Sequence, residues 1–201
     1  MRLTGLARAN EQGFYLIEVM VAVMLTSVAL LGMLALQSRS IAYSHDSQQR
    51  QNAILLAADL ARSIQANRES LVSKGKLKTD SAYLVAAGST FPSLGSGESC
   101  STSGLGRADK AQRELACWAA QVRLKLNTDD TLLSDSTFIC PSRDGRTCAA
   151  GSLQPLLLVQ LAWHSRNCQA GSPTTVDDAN AACLSGSDKG GIERYRLSFQ
   201  P

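Results

Sequence analysis

Glu18 is the residue whose type and position suggest chemistry most directly. It is the only charged residue from Phe14 to Leu36, a run of 23 apolar and small residues. A charge in such a run costs on the order of 2.5–3.5 kcal/mol at the centre of a bilayer, and less near the end where Glu18 lies. A carboxylate in this setting needs a positive partner.

Cleavage after Gly13 would supply that partner. Residues 1–13 carry Arg2 and Arg8 against Glu11, which is the charge of a signal peptide's leading region. An ordinary secretory signal is cut after its apolar stretch, whereas here the small-residue junction precedes it. Cutting there would keep the helix and give Phe14 a positive amine. The alternative is an uncleaved signal anchor with a chance glycine, because hydropathy identifies a span but not a cleavage.

The apolar run is long enough to cross a bilayer as a helix. Basic residues before it (Arg2, Arg8) and after it (Arg39, Arg50) nearly balance, so the positive-inside rule gives little direction. All the cysteines follow the run, at positions Cys100, Cys117, Cys140, Cys148, Cys168 and Cys183. Their number favours an oxidising compartment, so we expect a cytoplasmic N-terminus with the bulk of the chain outside.

Residues 13–67 resemble the N-terminal region of type IV pilins and their pseudopilin relatives. The shared motif is Gly-Phe-x-Leu-Ile-Glu followed by an apolar helix, here Gly13 to Glu18. Residues 18–22, 30–37 and 55–68 look most like the minor pilins of the type IV pilus. Two departures are Tyr15, where the family usually carries Thr or Ser, and the lack of any proline before Pro92, which removes a common cause of helix kinks.

The resemblance implies that a prepilin peptidase cuts between Gly13 and Phe14 and methylates the new amine. It implies that Glu18 matters for joining the filament, and that the partners are other minor and major pilins, the inner-membrane assembly machinery and a tip adhesin. The localisation implied is the inner membrane with a periplasmic head, and then the pilus on the cell surface. No cofactor and no enzymatic activity are expected.

The physical argument for Glu18 agrees with the resemblance. A negative charge in the first turns of a helix is favoured by the helix dipole. In an apolar filament core the Phe14 amine and the Glu18 carboxylate are both costly unless paired, and pairing between subunits would set the axial register. The alternative is a carboxylate that is merely tolerated at the headgroup boundary.

Helical spacing resumes after the span. Residues 38–52 are polar and lack proline and glycine, and an apolar stripe then follows at Ala53, Leu56, Ala57, Leu60, Ile64 and Leu71. We expect one helix from Phe14 to about Ser73, with residues 14–37 in the membrane or filament core and residues 38–73 as an amphipathic continuation. Gly75 would stop it, and Lys74, Lys76 and Lys78 form either a solvated helix end or a site for an acidic partner.

The remaining residues, 74–201, are expected to form a globular head. Residues 93–106 are rich in Ser and Gly and predict a loop. Leu115, Trp118 and Val122 recur at helical spacing within a second helix from Ala108 to Leu126, which Asp109 can cap.

The last third of the chain predicts strands. The candidates are 136–140, 156–163 and 192–199, and Asp144-Gly145 marks a turn after the first. In the last candidate Tyr195, Leu197 and Phe199 alternate and can form one buried face. A small antiparallel sheet packed on the long helix makes the fold class α+β.

The cysteines suggest disulfide staples for a head with few large aromatic residues. Six cysteines allow fifteen connectivities, of which nearest-neighbour pairing gives Cys100–Cys117, Cys140–Cys148 and Cys168–Cys183. Each bridge would stabilise the head by roughly 2–4 kcal/mol. A metal site is the alternative, but the chain has no C-x-x-C spacing and only His45 and His164.

Other functions receive less support. The N-terminal motif is also compatible with a pseudopilin of a type II secretion system. A hypothesis from a different class of function is a membrane-anchored periplasmic enzyme or binding domain. The sequence has no Gly-x-Ser-x-Gly elbow and no phosphate loop to support it. His164 follows Trp163 at the end of a predicted strand and is interpreted as structural. A net charge of +3 without an aromatic-basic pattern gives no basis for nucleic-acid binding.

Overall fold

One helix, α1, occupies Tyr15–Ala66 and comprises 52 residues. The computed structural model describes residues 15–149, 156–165, 183–184 and 191–201. The chain divides into two units, Met1–Tyr43 and Ser44–Pro201, and α1 contributes residues to both. Each unit is described by itself, and the second is called the head.

The core of the head is built on the predicted apolar stripe, of which all members except Leu71 lie on α1. Every member of the predicted stripe is buried, namely Ala53, Leu56, Ala57, Leu60, Ile64 and Leu71. They join one hydrophobic cluster with side chains of the second helix and of the sheet, including Leu115, Leu157, Val159 and Trp163. The stripe is therefore core, as its spacing predicts.

The end of α1 was predicted too late. The helix ends at Ala66 rather than near Ser73, and is followed by a 3₁₀ turn, Arg68–Ser70, and a hairpin of β1, Val72–Ser73, and β2, Lys76–Leu77. Asn67 Nδ2 donates to Tyr83 Oη at 3.2 Å and to the Arg107 carbonyl at 3.3 Å, which anchors the chain where the helix stops. Gly75, with φ of 75°, lies in the hairpin instead of capping a helix.

The second helix, α2, spans Arg107–Lys125 and was predicted within one residue at each end. Its predicted cap was wrong: Gly106 is the N-cap residue and Asp109 lies in the first turn, where its charge still favours the helix dipole. A third helix, α3, Asp130–Ser136, was not predicted. Asp129 caps it by accepting a hydrogen bond from Leu132 N at 2.8 Å.

Antiparallel strands complete the head, namely β3 Phe138–Ser142, β4 Leu156–Ser165, β5 Cys183–Leu184 and β6 Gly191–Phe199. They form one sheet in the order β3-β4-β6-β5. Strand β3 starts two residues later than the predicted strand 136–140, because α3 occupies Ser136. Tyr195, Leu197 and Phe199 pack against the core, which confirms the predicted buried face, and the fold class is α+β as predicted.

Candidate functional site

Glu18 lies in the first turn of α1, and its residue is exposed. It is the acidic residue of that turn, at the end where the helix dipole is positive. Among the described residues, no hydrogen bond or ion pair is formed by its carboxylate. Gly13 and Phe14, the predicted cleavage and methylation residues, lie outside the described part of the chain, so the proposed pairing with a Phe14 amine stays a prediction.

The residues that follow Glu18 present their apolar side chains outward on all sides of the helix. Met20 is 70% exposed, Met24 70% and Leu31 67%, and other large side chains as far as Leu36 are similarly open. By length and composition, the helix can cross a membrane. A surface this apolar requires an apolar surrounding, whether lipid or other helices.

Two hydroxyl side chains in this segment are satisfied by the helix itself. Thr26 Oγ1 donates within reach of the Ala22 and Val23 carbonyls, at 2.9 and 3.0 Å, and Ser27 Oγ donates to the Met24 carbonyl at 2.8 Å. Such local bonds remove the cost of placing a hydroxyl in an apolar medium. Among residues 16–36, Glu18 is therefore the polar side chain that still requires a partner, as its charge predicts.

Two disulfides hold the head, Cys100–Cys117 and Cys140–Cys148, with Cα separations of 5.8 and 5.6 Å. Both are nearest-neighbour pairs along the chain. The first joins the Ser/Gly-rich loop to α2, and the second closes the turn that carries Asp144-Gly145. Cys168 and the predicted Cys168–Cys183 bridge fall outside what the structure describes.

The loop before α2 is also fastened by charge. Arg113 Nη2 lies 2.7 Å from Glu98 Oε1, and Arg113 Nη1 donates to the Ser99 carbonyl at 3.0 Å. Glu98 Oε2 accepts from Gly95 N at 2.8 Å. Together with Cys100–Cys117, these contacts give a predicted loop a defined place on the head. No sequence pattern singles out Arg113 or Glu98.

A polar cluster fixes the end of α1 to the start of α2. Tyr83 is fully buried, and its hydroxyl donates to Glu114 Oε2 while it accepts from Asn67 Nδ2. Burial raises the pKa of Tyr83 well above its ordinary value, and the hydrogen bond to the Glu114 carboxylate adds to the rise. The cluster is structural, since it joins three segments of the chain inside the head.

His164 occupies a structural position at the end of β4. Its backbone N donates to the Asn127 carbonyl at 2.7 Å, and its carbonyl accepts from Asn127 Nδ2 at 3.2 Å. Its ring Nε2 lies 3.5 Å from Asp129 Oδ2, the carboxylate that caps α3.

His45 and His164 line one cavity of about 330 Å³ with Asp46 and Gln49. Within the described ranges, no group of three or more His, Cys, Asp or Glu side chains could hold a metal ion.

Comparison of the chain with protein-family models, with curated proteins and with solved structures finds no match.

Proposed function

We propose that this chain is a minor pilin of the type IV pilus, of the PilV kind. The observation that carries the proposal is the first segment of α1, an exposed apolar helix with a single carboxylate in its first turn. The motif Gly13 to Glu18 and the α+β head with two disulfides support it. The same features support single-pass anchoring in the inner membrane, with the head in the oxidising periplasm.

In this proposal, residues 1–13 are a leader that a prepilin peptidase removes between Gly13 and Phe14, with methylation of the new amine. The apolar segment then passes from the bilayer to the core of the filament. Because both are apolar media, the transfer of its aliphatic side chains contributes little to the free-energy difference. The charge pair between Glu18 and the Phe14 amine of a neighbouring subunit is what favours one register over others.

The partners that follow are the prepilin peptidase, other minor and major pilins, the inner-membrane assembly machinery and a tip adhesin. The protein would prime or enter the pilus and support adhesion and twitching motility. Its head would present to these partners a surface held rigid by disulfides, and it would carry out no catalysis.

A substitution series tests the role of Glu18. A strain whose only copy carries Glu18→Ala is expected to cleave the protein normally and to lose surface pili, because the amine of the entering or preceding subunit has no partner. Asp80→Ala removes an exposed carboxylate from the head and serves as the matched control, with pili retained. Pilus counts by electron microscopy, with immunoblots for processing, give the readout. Normal piliation with Glu18→Ala would exclude the assembly role.

A further inference from the structure

Residues 142–148 form a tightly bonded turn after β3, which we call the arginine turn. Asp144 Oδ1 accepts from Ser142 Oγ at 3.1 Å and from the backbone N of Arg146 and Thr147, both at 2.8 Å. Asp144 Oδ2 accepts from Thr147 Oγ1 at 3.0 Å. The disulfide Cys140–Cys148 closes the base of the turn. The turn is therefore organised before any partner arrives.

Arg143 and Arg146 are exposed on this turn, and within the described residues neither guanidinium forms an ion pair. Other arginines of the head do pair with a carboxylate, namely Arg50, Arg62, Arg107, Arg113 and Arg123. Asp144, the acid adjacent to Arg143, is held by hydrogen bonds of the turn itself. These bonds keep the pKa of Asp144 well below its ordinary value. The two cations are left for solvent or for a partner.

The turn also lies against β6. A Cβ placed on Gly145 would lie 2.8 Å from Ser198 Oγ, so the turn approaches this strand closely. Arg196, two residues earlier on β6, donates to Gln160 Oε1 at 2.6 Å and is close enough to Asp144 and Arg194 for their charges to act on it. The place of the turn on the head is thus set by its contact with β6 as well as by its internal bonds.

We propose that the arginine turn is a docking site for a carboxylate-rich segment of a partner protein. Guanidinium groups bind carboxylates through paired hydrogen bonds, and a pre-organised turn loses little conformational entropy on binding. Binding of a sulfated polysaccharide is typical of runs of five or more basic residues. Here only two exposed arginines flank a structural aspartate, which suits a short acidic segment. The inference rests on the proposed function only in one respect, namely the place in the cell where the head would meet such a partner.

The test measures binding of fluorescein-labelled hexaglutamate to the full chain in uncharged detergent micelles by fluorescence anisotropy. The double variant Arg143→Gln with Arg146→Gln is expected to bind roughly tenfold more weakly. The matched control, Arg68→Gln with Lys76→Gln, removes two exposed positive charges elsewhere on the head. It is expected to change affinity less than about twofold.

A third variant separates organisation from charge. Asp144→Ala makes the turn more positive but removes its four internal hydrogen bonds, so the inference predicts weaker binding although simple charge attraction predicts tighter binding. Tryptophan fluorescence of the head checks that this variant folds. Asp144→Asn removes the negative charge but keeps the acceptor Oδ1 and most bonds of the turn, so it is expected to bind hexaglutamate more tightly than the native chain. Equal losses in the turn variant and the control would overturn the proposal, as would tighter binding of dextran sulfate than of hexaglutamate. Because the assay needs no pilus, either failure leaves the proposed function to its own test.

Discussion

Trp118 Nε1 donates a hydrogen bond to the backbone carbonyl of Leu56 at 2.8 Å, joining α2 to α1 across 62 residues of sequence. Both residues are buried, and Phe91 packs against the indole with ring centroids 5.8 Å apart. The bond ties the part of α1 that belongs to the head to the rest of the core. Under the proposed function, this contact would help to keep the head attached to its helix when the filament is under load.

Trp118→Phe is expected to lower the free energy of unfolding of the head by about 2–3 kcal/mol, because it removes the hydrogen bond and leaves a cavity beside Leu56. Urea unfolding of the full chain in detergent micelles measures the change, with Trp163 as the remaining fluorophore. A loss below about 0.5 kcal/mol would show that the contact does not hold α2 to α1.

Gly145→Ala should be more costly than Gly75→Ala, although both glycines have positive φ, 70° and 75°. A methyl group at position 75 meets nothing within 4 Å, whereas at position 145 it would lie 2.8 Å from Ser198 Oγ. Backbone strain alone costs about 1 kcal/mol at each site. The larger loss at position 145 is checked by comparing the unfolding midpoints of the two variants. Equal losses would mean that the turn does not rest on β6.

The two disulfides should contribute unequally. Their sequence separations of 17 and 8 residues correspond to about 3.1 and about 2.5 kcal/mol of loop-closure entropy. Replacing both cysteines by serine at Cys100 and Cys117 is therefore expected to destabilise the head slightly more than the same change at Cys140 and Cys148. Urea unfolding of the two double variants gives the order. A smaller loss for the longer loop would contradict the entropic account.

Glu193 should give the head a pH dependence. Burial raises the pKa of its carboxyl, and Arg50, with Nη1 3.9 Å from Oε1, only partly opposes the shift while Asp46 adds to it. A raised folded-state pKa means that stability is present at low pH and is lost as pH rises through that pKa. Glu193→Gln removes the titration, so the variant should gain stability over the native chain as pH increases. Unfolding measured between about pH 4 and 8 checks this. A stability advantage of the variant over the native chain that shrinks with rising pH would contradict it.

The sequence predicted the architecture better than the details that position its surfaces. The stripe from Ala53 to Ile64 and the alternation of Tyr195, Leu197 and Phe199 reflect burial, which leaves a clear periodicity. The end of α1 depends on Asn67 reaching Tyr83 and Arg107, contacts between distant segments that have no local signature. Likewise α3 comprises 7 residues, too few for a periodic pattern, and its start depends on the cap at Asp129.

The candidate site could be predicted only where it has a local signature in the sequence. Glu18 is evident from sequence because a lone charge among apolar residues is a local feature. The arginine turn was visible only as an Asp-Gly pair. Its significance comes from the geometry, in which the Asp144 carboxylate is taken up by four hydrogen bonds and the flanking guanidinium groups stay exposed. From sequence alone, Asp144 could equally well form ion pairs with the neighbouring arginines and neutralise them.

N-terminal mass spectrometry of the protein, taken from native membranes and from sheared surface filaments, distinguishes pilin-type processing from a plain signal anchor. We expect a chain that begins at a methylated Phe14 in both fractions, which would also favour the pilus over a secretion pseudopilus. An intact Met1 in every fraction, with no protein in the filaments, would mean a plain signal anchor and would contradict the proposed function.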